Sequence, residues 1–240
     1  MQESPIAAAA LELLLDATAS VDVESALVTE SATYSTLQAG PEHQAWLAAR
    51  RRRERPVEHD VVLVSRKDGT LRLTLNRPHM RNAFNAAMRE ALLDGLMIAT
   101  VDPTVDEIVV DGAGANFCSG GDLDEFGTLD DPASAHLLRV DRSVARAVHE
   151  LRNRTTFIVH GACIGAGVEI PAFAGRVVAR PDATFRLPEL SMGLVPGAGG
   201  TVSIPRRIGR ERFRSMALTG AMIDATTALS WGLVDEIEGA

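Results

Sequence analysis

Two glutamates, Glu169 and Glu189, stand behind stretches whose residue types suit proton chemistry at carbon. Glu169 closes Gly165-Ala166-Gly167-Val168-Glu169, and Glu189 ends Phe185-Arg186-Leu187-Pro188-Glu189, which runs on to Val195-Pro196-Gly197-Ala198-Gly199-Gly200. Paired carboxylates move protons to and from carbon and activate water. Glycines beside them let backbone N–H groups approach a developing negative charge. Each acid has a plainer reading as a first-turn carboxylate at a helix start, favoured by the helix dipole.

The elements that must position these acids follow from hydrophobic periodicity. From Asp60 onward strands and helices alternate. Val61–Val64 and Leu71–Leu75 flank Lys67-Asp68-Gly69, a hairpin turn with glycine expected at positive φ. Asn85 is placed to cap a helix running to about Thr100, with Met88, Leu92, Leu96 and Ile98 as its apolar stripe. Glu107–Val110 reads as a buried strand followed by a glycine-dotted loop, Gly112 to Gly121. A helix is expected from Pro132 to about Arg154, then a strand at Phe157–Val159, the loop from Gly161, and a short helix through Ala174. Val177–Ala179 and Thr184-Phe185 read as strands, with helices over about Gly200–Leu218 and Asp224–Trp231. This recurrence indicates an α/β class, in which loops at the carboxyl ends of strands gather at one site.

Residues 1–56 differ and read as a helical or partly disordered extension, with the core occupying 57–240. Pro5–Ala17 is leucine- and alanine-rich, and Pro41 opens an amphipathic run to about Arg53. Between them Val21–Leu37 is a mixture of serine, threonine and alanine that offers no chemistry by itself.

Composition narrows the function classes. A chain of 240 residues with 46% hydrophobic content can bury a sizeable core. A net charge of −8, with one short basic run at Arg50–Arg55, argues against a nucleic-acid groove. Cys118 and Cys163 do not make a secreted disulfide framework and read as buried thiols of a reducing compartment. The apolar start carries Glu3 and Glu12 and lacks a signal peptide's positive region, and no apolar run is long enough to span a bilayer. A cytoplasmic protein without membrane contact is expected.

Several ordered motifs together carry a resemblance. Asn76-Arg77-Pro78 with Asn82-Ala83-Phe84-Asn85, the loop Asn116 to Asp122, Gly161 to Glu169, Leu187-Pro188-Glu189 through Thr201, Leu218-Thr219-Gly220 and Gly232-Leu233-Val234-Asp235 resemble the crotonase superfamily, and within it the enoyl-CoA hydratases. The resemblance covers about Asp60 to Ile237. It implies a ββα-spiral core and a coenzyme A thioester as substrate, with no permanently bound cofactor and no metal. It also implies a homo-oligomer, trimer or hexamer. By motif position it puts an oxyanion hole on the N–H groups of Gly121 and Ala166, with Glu169 as the water-activating base and Glu189 as the acid. Asn82, Ala83, Ser119, Gly120, Asp122, Gly165, Pro188 and Gly197 fall at substrate-binding positions. The reaction so implied is syn-addition of water to an α,β-unsaturated acyl-CoA. An enoyl-CoA isomerase and a non-catalytic coenzyme A-binding homologue are the alternatives.

Other residues carry plainer expectations. Asp122 closes the oxyanion loop, His160 makes a strand-end hydrogen bond, and Met192 and Trp231 pack. Where the family has a basic residue for coenzyme A phosphates, Asp124 and Glu125 stand here, leaving Arg72, Arg77 or Arg81 as substitutes. The family's usual C-terminal helical cap does not follow Ile237, so a core covered by the N-terminal helices, or left open, is expected.

Overall fold

The computed structural model describes residues 4–51, 53, 58–129 and 131–239. The expected boundary between residues 56 and 57 lies outside the described residues, as do Arg52, Glu54 and Arg55 of the basic run. Three helices come first: α1 (Pro5–Thr18), α2 (Val23–Gln38) and α3 (Pro41–Ala48). The core follows as β1 (Val62–Lys67), β2 (Thr70–Leu75), α4 (Ala86–Val101), β3 (Glu107–Gly112), α5 (Pro132–Asp141), α6 (Val144–Glu150), β4 (Thr155–Val159) and β5 (Ala162–Ile164). It continues with α7 (Ala166–Glu169), β6 (Arg176–Ala179), β7 (Thr184–Arg186), α8 (Gly200–Ile208), α9 (Arg210–Thr219), β8 (Ile223–Asp224), α10 (Ala225–Trp231) and β9 (Glu236–Ile237).

The larger sheet has the order β1-β2-β3-β4-β6-β9; β1 and β2 are antiparallel and every other neighbour is parallel. A smaller sheet, β5-β7-β8, stands beside it and carries the two strands that lead to the glutamates. Parallel strands joined through helices bury both faces of a sheet. Leu71, Leu73, Ile108, Val110, Phe157 and Val159 accordingly sit in one hydrophobic cluster, which also takes in Leu11, Leu14 and Leu15 of α1. The extension is therefore helical throughout its described helices and packed on the core. The segment that reads as mixed is helix α2, because its buried face is polar: Glu30, Ser31 and Ser35 are enclosed there along with Ala26.

Local expectations fare differently. Asn85 caps α4 through Oδ1, which accepts the Met88 N–H at 2.9 Å. Ile98 is exposed and Ala99 is buried in its place, the i+3 neighbour of Leu96 that helical geometry favours. In the β1–β2 turn the positive φ falls on Asp68 (φ 51), not on the glycine. A Cβ on Gly69 would lie 2.3 Å from Asp106 Oδ2, a side-chain end that would have to swing aside. The helix expected from Pro132 is two helices, parted where Ser143 caps α6 by accepting the Arg146 N–H at 3.2 Å. The one expected over Gly200–Leu218 breaks at Gly209.

Candidate active site

Strand β5 turns at Gly165 into α7, which delivers Glu169; strand β7 runs through Leu187-Pro188 into a single 3-10 turn, Glu189–Met192. The two turns face one another. Gly165 has φ 50, and a Cβ placed on it would stand 2.5 Å from Glu189 Oε1 and 3.7 Å from Glu169 Oε1. Both carboxylates thus border the same small space, which exists only because that side chain is missing.

Their environments push them apart. Glu169 is buried, and its Oε2 accepts the N–H groups of Ala198 at 2.7 Å and Gly200 at 2.9 Å. Burial raises its pKa to about 7, against the pull of those two amides toward the ionised form. Glu189 is buried too, but its Oε2 has no hydrogen-bond partner among the described residues. Burial first, and the charge of Glu169 second, raise its pKa well above the ordinary carboxylate range. Two carboxyls whose environments differ in this way divide into one that ionises and one that keeps its proton.

A cavity of about 670 Å³ opens onto this pair. Among the expected site residues, Glu169, Glu189, Gly121, Ala166, Ser119, Gly120, Asp122, Gly165, Pro188 and Gly197 line it. Phe84 pairs in parallel with Gly121 by donating its N–H to Gly120 O at 2.8 Å and accepting that of Asp122 at 2.8 Å. In a parallel bridge of this kind the Gly121 N–H points away from the neighbouring strand. Ala166 is the first residue of α7, where an N–H has no partner within the helix.

Asn82 and Ala83 are not part of the lining. Asn82 is buried in the turn before α4, where its Oδ1 accepts the Arg77 N–H at 2.7 Å and its Nδ2 donates to Ala113 O and Asn116 O, both at 2.9 Å. Asp122 does close the loop: its Oδ2 accepts from Arg77 at 3.0 Å and its Oδ1 from the Asp124 N–H at 3.1 Å. Arg77 is itself buried and also donates to Glu58 and to Ala83 O, so it is not available to a phosphate. Arg72 is paired with Asp111. Arg81 is exposed and makes no ion pair among the described residues. His160 Nε2 donates to Gly114 O at 2.9 Å, the strand-end bond expected of it. Cys118 and Cys163 are free and buried, and burial drives the Cys118 thiol up to about 12.

The sequence alone did not reveal what α2 brings to this site. Leu27, Glu30, Ser31 and Tyr34 line the same cavity from the extension, and Trp46 joins them from α3. Their signal was obscured because a helix that buries glutamate and serine has no apolar stripe to betray its inner face.

Comparison with known proteins bears on the family and the fold. Residues 65–239 match the family model described as enoyl-CoA hydratase/isomerase. The 2,3-dehydroadipyl-CoA hydratase of Escherichia coli is 35% identical over 176 residues, covering 73% of this chain and 68% of that protein. The 1,2-epoxyphenylacetyl-CoA isomerase of the same organism is 31% identical, covering 74% of this chain and 70% of the relative. The solved enoyl-CoA hydratase of Thermoplasma volcanium superposes with a TM-score of 0.69 at 31% identity, covering 75% of this chain and 72% of that one. A crotonase-type fold built around two facing glutamates, matched by these relatives over most of its length, places this chain in the enoyl-CoA hydratase/isomerase family.

Proposed function

We propose that this protein hydrates an α,β-unsaturated acyl-CoA, adding water across the double bond on one face. The observation that carries the reading is the unlike pair of acids around Gly165, one held by two amides and one with an unpartnered oxygen. The acyl group would enter the cavity with its thioester carbonyl on the N–H groups of Gly121 and Ala166. One such preorganised donor is commonly worth about 10²–10³ in rate.

Water would sit between the carboxyls. Glu169, ionised, takes a proton from it as the oxygen attacks Cβ. The electron pair of the double bond moves onto the thioester carbonyl as an enolate, which the two N–H groups stabilise. The enolate collapses as Glu189 gives its proton to Cα, leaving a 3-hydroxyacyl thioester, Glu169 protonated and Glu189 ionised. Passage of one proton from Glu169 to Glu189 through the next water restores the starting state.

A second reading is supported by the unpartnered Glu189 oxygen and by the relative named as an isomerase at 31% identity. A single acid of this kind can shuttle a proton between two carbons without water. The discriminating experiment follows the absorbance of a conjugated short-chain enoyl-CoA in solvent enriched in heavy oxygen. Hydration bleaches the chromophore and puts label at Cβ; isomerisation incorporates none. A rate unchanged in Glu189→Gln would sink the proposed mechanism.

A further inference from the structure

The N-terminus of α8 presents four consecutive backbone amides to two different carboxylates in alternation. Ala198 and Gly200 donate to Glu169 Oε2 at 2.7 and 2.9 Å. Gly199 donates to Glu30 Oε1 at 2.7 Å, and Thr201 donates to Glu30 Oε2 through its N–H at 2.9 Å and its hydroxyl at 2.6 Å. Amides at a helix start have no intrahelical acceptor, so the two acids between them satisfy this turn. Glu30 is 2% exposed and lies on α2, ahead of residue 65 where the family match begins.

One helical turn further along α2, on the same face, Tyr34 lies against Gly197, where a Cβ would come 2.2 Å from its ring. On its other flank α2 is tied to α5, where Arg139 donates to Ser31 Oγ at 3.3 Å, to Gln38 Oε1 at 3.0 Å and to Ser35. The helix therefore spans the gap between α5 and the loop Gly197–Thr201 and grips that loop along its length.

We propose that Glu30 is a positioning residue for Glu169: by holding Gly199 and Thr201 it keeps the intervening amides of Ala198 and Gly200 aimed at the Glu169 carboxylate. Without it, two buried amides lose their acceptor, and the nearest carboxylate oxygen they can turn to is that of Glu169 itself. The competition rotates or displaces Glu169 from the space beside Gly165. Burial and the charge of Glu169 raise the Glu30 pKa to about 8, consistent with two acids sharing one helix start.

The inference rests on the hydratase reading only for what Glu169 does, so its test has two arms. In the first, kcat and KM for an enoyl-CoA are compared in wild type, Glu30→Gln and Glu30→Leu. Displacement of a reacting group by about an ångström lowers kcat about 10²-fold; Glu30→Leu is expected near that loss with KM within about 2-fold. Glu30→Gln keeps one acceptor for Thr201 and should fall between. In the second arm, amide hydrogen exchange is measured on the folded proteins without substrate. Glu30→Gln, or Glu30→Leu where it folds, should speed exchange at Ala198 and Gly200 by about 10-fold or more, although Glu30 touches neither. Unchanged exchange at those two amides overturns the proposal, as does an unaltered kcat in an active enzyme. A wild type that turns over no enoyl-CoA refutes the hydratase reading alone, and the exchange arm still decides this one.

Discussion

Gly165→Ala is the perturbation that probes the site most directly. Its Cβ would fall 2.5 Å from Glu189 Oε1, about 0.9 Å inside the 3.4 Å at which ordinary contact begins. The backbone at φ 50 and ψ −119, a conformation open almost only to glycine, adds strain of about 1–2 kcal/mol for a residue with a side chain. Glu189 must therefore retreat by nearly an ångström or the β5–α7 turn must open. Misplacement on that scale costs about 10² in rate, while the strain lowers the melting temperature by roughly 2–8 °C in a chain of this size. Gly209→Ala separates the two effects. Gly209, at φ 83 and ψ 155, is in another conformation that disfavours a side chain, and nothing lies within 4 Å of its would-be Cβ, so it carries backbone strain without the collision. The assay is loss of enoyl-thioester absorbance alongside thermal unfolding of both variants. Gly165→Ala should lose about two decades of kcat and Gly209→Ala should keep its kcat at comparable stability. A Gly165→Ala enzyme within about 3-fold of wild type would show that the space beside Gly165 is not where the acids work.

Further outcomes can be checked on the same protein. Because the Glu169 pKa is raised to about 7, kcat/KM should climb as pH rises through about 7, read from a pH–rate profile; a flat profile there refutes Glu169 as the base. Stability should move the other way. Unfolding returns Glu30 and Glu169 to ordinary carboxyls near 4.5, so the unfolded chain releases protons first. The stability these groups contribute is full below about pH 4.5 and is lost as pH rises to about 7–8. Calorimetry should show the melting temperature falling across that window, with a shallower fall in Glu30→Gln. Cys118 and Cys163 should resist a thiol reagent in the native state and react once denatured, followed by absorbance of the released chromophore.

Glu169 and Glu189 were legible as a pair because each follows a local backbone feature that the chain spells out in order: Gly165 at a sharp turn, Pro188 before a single helical turn. Strand and helix periodicity likewise exposed the α/β core, since buried strands such as Ile108–Val110 are apolar in continuous runs. Arg77 was misleading for a related reason. A cation in a loop reads as exposed, and only the fold shows it enclosed by Glu58, Asp122 and Ala83 O.

By itself the sequence determined the order of the strands, loops and acids, and hence the family and the kind of chemistry. The tertiary structure alone decided how each acid is surrounded, Glu169 against two amides and Glu189 with one oxygen unpartnered among the described residues, because burial and amide donors are set by distant segments converging. It also decided that α2 belongs to the site. A polar helix has no pattern that shows which face turns inward, and only folding sets Glu30 against amides more than a hundred residues along the chain.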